Sequence, residues 1–148
     1  RQVVQRIPLV FPVHPRTKDR LQAFGLWQDL LSIEKLIVTG PMSYLEFISC
    51  MRSCRVLLTD SGGVQEETTY LNIPCLTFRA TTERPVTVSL GSNILIEDFD
   101  IQRAGTLVDE ILNGNLKSGQ IPPLWDGKTG ERIALKLMEY LGFQGLRV

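Results

Sequence analysis

The chain has 148 residues, 43% of them hydrophobic, with 16 basic and 16 acidic side chains, which bounds it to one globular domain because two of ordinary size do not fit. A chain of this length buries about 68% of the surface its unfolded form exposes, so its core needs neither metal nor disulfide. Zero formal net charge and the lack of a dense basic run argue against duplex nucleic acid and an anionic membrane surface as partners.

In chain order, residues 7–13 read as a short strand, interrupted by Pro8 and Pro12, that delivers a loop at His14-Pro15. Residues 18–24 read as a helix with Leu21 and Phe24 on one face and Gly25 as its stop, and residues 36–39 as a second strand. Ser43 followed by Glu46 has the form of a capping box ahead of Tyr44, Phe47, Ile48 and Met51 at helical spacing. Residues 55–59 form a nearly all-apolar third strand, a profile that asks for cover on both faces. Asp60-Ser61-Gly62-Gly63 then leads into a helix over 64–71, stopped by Asn72 ahead of Pro74. A strand over 75–78, a polar loop over 79–85, a short helix from Pro85 to position 90 and a strand over 93–96 follow. Helices are predicted over 101–112, with Ala104, Leu107, Val108, Ile111 and Leu112 inward, and over 129–141, ended by Gly142. Residues 113–128 read as a surface excursion. This alternation predicts an α/β fold, a mostly parallel sheet with helices on both faces and ligands at the carboxyl ends of the strands.

Cys50, Cys54 and Cys75 read as small core residues in a reducing compartment, and no ligand spacing points to a metal. The sequence from Arg1 contains no apolar stretch that would serve as a signal peptide or membrane span, and without an initiator methionine the chain is expected to be a piece of a longer protein.

The strongest chemical signal is the run from Asp60 to Glu67 at a strand-to-helix turn. Ser61, Gly62 and Gly63 let a backbone rich in free N–H groups approach an anion, and Glu67, one turn on, is placed for ribose hydroxyls. The alternative is a tight turn with Ser61 as cap and Glu67 as a solvated acid. The run lacks the lysine of a triphosphate loop and the glycine spacing of a dinucleotide fingerprint. In the later loop, Arg79 or Arg84 would neutralise a diphosphate, or else Glu83 pairs with one of them to fix the loop. His14 faces either a ligand or solvent, and Phe47 and Tyr44 flank either a base or the core.

Taken together, these segments resemble the carboxyl-terminal half of the non-hydrolysing UDP-N-acetylglucosamine 2-epimerases. The matching pieces are His14-Pro15-Arg16-Thr17, Pro41 through Phe47, Thr59 through Glu67, Pro74-Cys75-Leu76 with Arg79, and Thr82-Glu83-Arg84-Pro85 with Gly91. The resemblance implies the second, Rossmann-like half of a GT-B-like two-domain fold, all of it within 1–148, with an amino-terminal strand missing and a gap beside the first strand present. It implies that Ser61, Gly62 and Gly63 hold a pyrophosphate, Glu67 the ribose, Met42 and Phe47 the uracil, and Arg79 the sugar nucleotide, with His14, Glu83 and Arg84 as sugar or regulatory contacts. The partner would be UDP or UDP-N-acetylglucosamine, with no cofactor. The parent protein would be a cytoplasmic homodimer in polysaccharide biosynthesis that inverts carbon 2 by anti elimination of UDP and re-addition. Met42 stands where the family usually has glutamine, and Val86 where it usually has glutamate. The family's catalytic acids belong to the other domain, so half an active site is expected. The alternative is a stand-alone, non-catalytic UDP-binding module.

Overall fold

Pro8 has no backbone N–H to give a ladder, and the first strand, β1 (Leu9–Pro12), starts just after it. It pairs in parallel with β2 (Leu36–Thr39), Leu9 opposite Leu36 and Pro12 opposite Thr39. The computed structural model describes residues 2–115 and 118–142. Between the two strands lie α1 (Pro15–Ala23) and α2 (Trp27–Leu31). Helix α1 begins three residues before its apolar pattern does, because His14 Nδ1 accepts the Arg16 N–H at 3.2 Å and Pro15 fills the first turn. Helix α2 has no counterpart in the sequence reading; it is a single short turn, and the Lys18 ammonium lies 5.3 Å over the Trp27 ring.

The remaining elements follow the predicted order. The capping box opens α3 (Tyr44–Ser53), with the Ser43 N–H donating to Glu46 Oε2 at 2.8 Å and the Glu46 N–H to Ser43 Oγ at 3.4 Å. Donation from the Ser43 hydroxyl and backbone holds the Glu46 carboxyl below its usual range. Then come β3 (Leu57–Thr59), α4 (Gly62–Tyr70), β4 (Cys75–Thr77), α5 (Pro85–Ser89) and β5 (Asn93–Leu95). Asn72, at φ 53°, takes the left-handed conformation that ends α4. A 3-10 turn over Glu97–Phe99 leads into α6 (Ile101–Leu112), and α7 (Thr129–Tyr140) is followed by Gly142 at φ 72°. Leu116 and Lys117, inside the predicted surface excursion, lie outside the described residues.

All strand pairings are parallel, but they form two sheets, β1-β2 and β3-β4-β5. Among the described residues no ladder joins them. The amino-terminal turn packs on the second sheet: Val3 and Ile7 lie against its core, and Arg6 Nε reaches Asp109 on α6 at 2.8 Å.

The two faces of β4 are buried by different chemistry. On one, Leu76 joins Val56, Ile96, Ala104, Val108 and Ile111, so α6 covers the sheet with an apolar core. Burying a side chain such as Leu76 contributes about 1.5–3 kcal/mol. On the other, Cys75 and Thr77 meet α4 and α5 through Gln65, Thr68, Thr87 and Asn93, all buried. The doubly covered strand is therefore β4 rather than β3, whose three residues are only half-buried. β4 is the middle strand of its sheet, whereas β3 has a ladder on one side only.

Two outcomes test this packing. A Cβ at Gly91 would lie 2.5 Å from both Thr69 Oγ1 and the Thr87 carbonyl oxygen, so Gly91→Ala should destabilise by about 1–3 kcal/mol, read from the urea midpoint at unchanged slope. Hydrogen bonds from Arg132, at 2.9 and 3.0 Å, and from the Lys128 N–H lower the Asp126 carboxyl to about 2. Because that value lies below the unfolded one, any stability it contributes is complete above the unfolded value and is lost as pH falls toward about 2. NMR titration of Asp126 should return toward the ordinary carboxylate range in Arg132→Gln.

Candidate functional site

Because β3, β4 and β5 run parallel, the chain leaves β3 and β4 at the same end of the sheet, where open α/β sheets collect ligands. Thr59 closes β3, and its hydroxyl accepts the Ser61 N–H at 3.0 Å, which turns the chain into α4. Ser61 occupies the N-cap position with extended backbone, yet its side chain makes no capping bond. An N-cap serine ordinarily satisfies one of the four orphan N–H groups of its helix. Here the Ser61 N–H is taken up by Thr59, while the hydroxyl and the amides of Gly62 and Gly63 keep their hydrogen-bonding capacity on the turn.

Gly62 and Gly63 sharpen this geometry. Neither takes a positive φ, and a Cβ on either would meet nothing within 4 Å. Backbone conformation and packing alike would accept a side chain, so what glycine preserves here is open approach to the helix amides. A positive helix end with bare N–H groups favours an anion.

The segment after β4 carries the cations. Arg84 Nε lies 2.8 Å from Glu66 Oε1 on α4, off the line of a hydrogen bond, with both side chains about two-fifths exposed. The pairing of Glu83 with an arginine that the sequence suggested does not form: Glu83 is exposed, and Arg84 reaches back to Glu66 because that carboxylate faces it across the turn. Arg79 is exposed and makes no ion pair among the described residues. Among the described residues of the segment after β4, its guanidinium has no carboxylate partner, whereas that of Arg84 does.

Gln65 connects the two segments. It is fully buried, its Nε2 donates to the Ser61 carbonyl at 3.2 Å, and its Oε1 accepts the Thr82 hydroxyl at 2.6 Å. The sequence reading passed over Gln65, Thr82 and Asn93 as site residues. The signal that could have found them is the polar alternation at Thr77 and Asn93 in strands otherwise apolar.

The other expected residues are placed separately. Glu67 is half-buried on α4, one turn beyond Gly63, with no side-chain hydrogen bond or ion pair among the described residues. Met42 and Phe47 are half-buried and Tyr44 is exposed, in the segment following β2. His14 is exposed after β1, and its Nδ1 is engaged as a helix cap, which leaves Nε2 as the outward nitrogen. No side-chain hydrogen bond or ion pair among the described residues joins His14, Met42 or Phe47 to the Ser61–Arg84 region.

Two cavities, of about 440 and 510 Å³, lie elsewhere: one at the amino ends of β3 to β5, lined by Arg52, Arg55, Pro74 and Ser92, and one beside Val4 and Lys35. Strand polarity assigns the first to the opposite end of its sheet from the glycine turn. The three cysteines are free, and burial pushes the Cys54 and Cys75 thiols up, which removes thiolate character. Among the described residues no group of His, Cys, Asp or Glu could hold a metal ion.

A family model described as UDP-N-acetylglucosamine 2-epimerase matches residues 1–138. The chain is 42% identical over 132 residues to a UDP-N-acetylglucosamine 2-epimerase of Methanocaldococcus jannaschii, which covers 89% of this chain and 35% of that protein. It is 34% identical over 139 residues to a UDP-2,3-diacetamido-2,3-dideoxy-D-glucuronate 2-epimerase of Pseudomonas aeruginosa, covering 90% and 34%. The crystal structure of the M. jannaschii UDP-GlcNAc 2-epimerase in complex with UDP-GlcNAc and UDP superposes with a TM-score of 0.76 at 43% identity, over 88% of this chain and 35% of that one. That of a Neisseria meningitidis enzyme bound to UDP-GlcNAc gives 0.71 at 27% identity, again over 88% and 35%. The chain thus spans about a third of the length of the relatives it matches.

The geometry separates groups that hold the site together from groups that only decorate it. Asn93→Ala strips partners from three buried groups and should cost about 2–4 kcal/mol, whereas Glu66→Ala, which removes a solvent-screened pair, should cost less than about 1 kcal/mol. Equilibrium denaturation of both variants provides the comparison.

Proposed function

The chain belongs to the UDP-N-acetylglucosamine 2-epimerase family, and from that premise we propose that it is the UDP-holding half of a sugar-nucleotide 2-epimerase. The observation that carries the reading is the turn at Ser61-Gly62-Gly63, with an uncommitted hydroxyl and two glycines that the fold itself does not need. The pyrophosphate sits on the α4 amides and the Ser61 hydroxyl, with Arg79 supplying the balancing charge. Glu67 accepts from the ribose hydroxyls, and Met42 and Phe47 frame the uracil through backbone and ring contacts. His14, Glu83 and Arg84 lie at the sugar or regulatory edge.

In the parent protein, a base removes the proton from carbon 2 of the sugar while the bond from carbon 1 to the UDP oxygen breaks. This yields a 2-acetamidoglucal and UDP, and re-addition with protonation from the other face inverts carbon 2. The present residues act on the leaving group: negative charge grows on the departing phosphate oxygen, and the helix terminus and Arg79 stabilise it. Glu66 is spent on Arg84, and no acid–base pair is assigned among Glu66, Glu67 and Glu83. In this reading the proton chemistry belongs to the other domain of the parent protein. The sugar is N-acetylglucosamine in this reading, which follows the M. jannaschii relative at 42% identity over the P. aeruginosa relative at 34%. No helix among the described residues is long and apolar enough to cross a membrane. Three free thiols fit a reducing compartment, and the parent protein is read as a cytoplasmic homodimer.

Isothermal titration with UDP tests the reading. The chain should bind saturably, Ser61→Ala and Arg79→Ala should each weaken binding by about tenfold, and the chain alone should not epimerise UDP-N-acetylglucosamine. Absence of binding by a chain shown to be folded would overturn the half-site, and turnover by the chain alone would overturn the division of labour.

A further inference from the structure

The polar face between α4 and β4 contains a closed ring of hydrogen bonds. The Thr82 hydroxyl donates to Gln65 Oε1 at 2.6 Å and accepts the Arg84 N–H at 3.0 Å. The Arg84 carbonyl accepts the Thr87 hydroxyl at 2.7 Å, and Thr87 Oγ1 in turn accepts from Asn93 Nδ2 at 3.0 Å. The second hydrogen of the same Asn93 amide returns to Gln65 Oε1 at 3.0 Å. Two spokes leave the ring: Asn93 Oδ1 accepts the Thr77 hydroxyl at 2.6 Å, which anchors it to β4, and Gln65 Nε2 donates to the Ser61 carbonyl at 3.2 Å.

Each proton in this ring has one consistent position. Flipping the Gln65 amide would turn its NH2 toward Asn93 Nδ2, donor against donor, and its oxygen toward the Ser61 carbonyl. Flipping Asn93 would set its oxygen against Gln65 Oε1. Both side chains are buried, Gln65 completely, so an unsatisfied donor or acceptor would find no water. The arrangement is bistable in nothing and adjustable in little.

The ring's place in the chain gives it a role beyond cohesion. It grips the Arg84 main chain at both its N–H and its C=O, within the segment that carries Arg79 and Arg84. Its remaining spoke grips the carbonyl of Ser61, immediately before the glycine amides. The Glu66–Arg84 pair spans the same gap at the surface, but it is two-fifths exposed and can rearrange. We infer that Gln65 is the positioning residue of the diphosphate site: it holds the anion-binding turn at Ser61–Gly63 and the arginine-bearing segment Arg79–Arg84 in fixed register, so that the two receive a diphosphate as one preformed unit. This rests on the reading of the turn as a UDP site. Preorganisation of this kind adds affinity by removing the cost of ordering two segments upon binding. Every group in the ring is neutral, so the register holds across the pH range in which carboxylates and imidazoles titrate.

The test compares a ligand with and without the diphosphate. A loss of folded protein weakens UDP and uridine alike, whereas a loss of register weakens UDP selectively. Gln65→Met removes the hub, and Thr82→Val, at a half-buried position, removes one ring member and keeps the comparison open should the first variant not fold. Each should lower UDP affinity by about tenfold while uridine affinity changes by less than about twofold. Thr82→Ser, which retains the hydroxyl, should restore the UDP-to-uridine ratio. Equal losses for the two ligands, or unchanged UDP affinity in folded Thr82→Val, would overturn the inference. If neither ligand binds the parent chain, the UDP reading fails by itself and amide hydrogen exchange decides the coupling. Faster exchange at 61–63 in Thr82→Val supports it, and a change confined to 82–84 overturns it.

Discussion

A strand covered on both faces can carry polar side chains on one of them only if every donor there finds an acceptor, and the second face of β4 places this constraint on the molecule. Thr77 and Asn93 project from adjacent strands into a space closed by α4 and α5, where Gln65 and Thr87 answer them. Apolar residues could fill the same volume in many rotamers at similar energy. The polar set accepts one arrangement, because each misplaced group would bury an unpaired hydrogen bond. The direction of α4, and with it the direction of its first amides, is fixed by this pairing as much as by its packing on β4 and β5.

The distribution of charge follows the same logic. Carboxylates and cations are kept out of the buried face, which is built from amides, hydroxyls and the Cys75 thiol, and Glu66, Arg79 and Arg84 lie beyond it at the carboxyl ends of the strands, where water screens them. Glu66 and Arg84 neutralise each other across the turn, so the positive potential available to an anion comes from the α4 terminus and Arg79. The molecule thereby separates a rigid frame, insensitive to pH and salt, from a surface that exchanges water for ligand.

The division of the strands into two sheets has a physical consequence for a chain that spans a third of its relatives' length. β1 and β2 carry His14, Met42 and Phe47 on the segments that leave them, while β3 and β4 carry the Ser61 turn and the Arg79–Arg84 segment. The ring that stiffens the second group does not reach the first. The Ser61 and Arg84 segments are therefore linked by hydrogen bonds around one sheet, whereas Met42 and Phe47 follow the other, and Val3 and Ile7 tie the amino-terminal turn to the core of the second sheet.

Much of the fold was legible in the residues. Leu36–Thr39 and Ile101–Leu112 came out with the predicted bounds, and the capping box at Ser43 and the stops at Asn72 and Gly142 sit where local chemistry put them. These features rest on neighbours three or four residues apart, so the sequence by itself determined them, together with the strand-to-helix turn at Ser61 and its open glycines. The early start of α1 is likewise local, set by His14 and Pro15, whereas the double cover of β4 rather than β3 and the pairing of Arg84 with Glu66 in place of Glu83 needed the tertiary structure. Each depends on which strand lies in the middle of the sheet or on which side chain faces which across a turn. Gln65 makes the distinction plainest: in the sequence it is one polar residue of a helix, and only the approach of Thr82 and Asn93, 17 and 28 residues further along the chain, turns it into the junction between the two segments of the site.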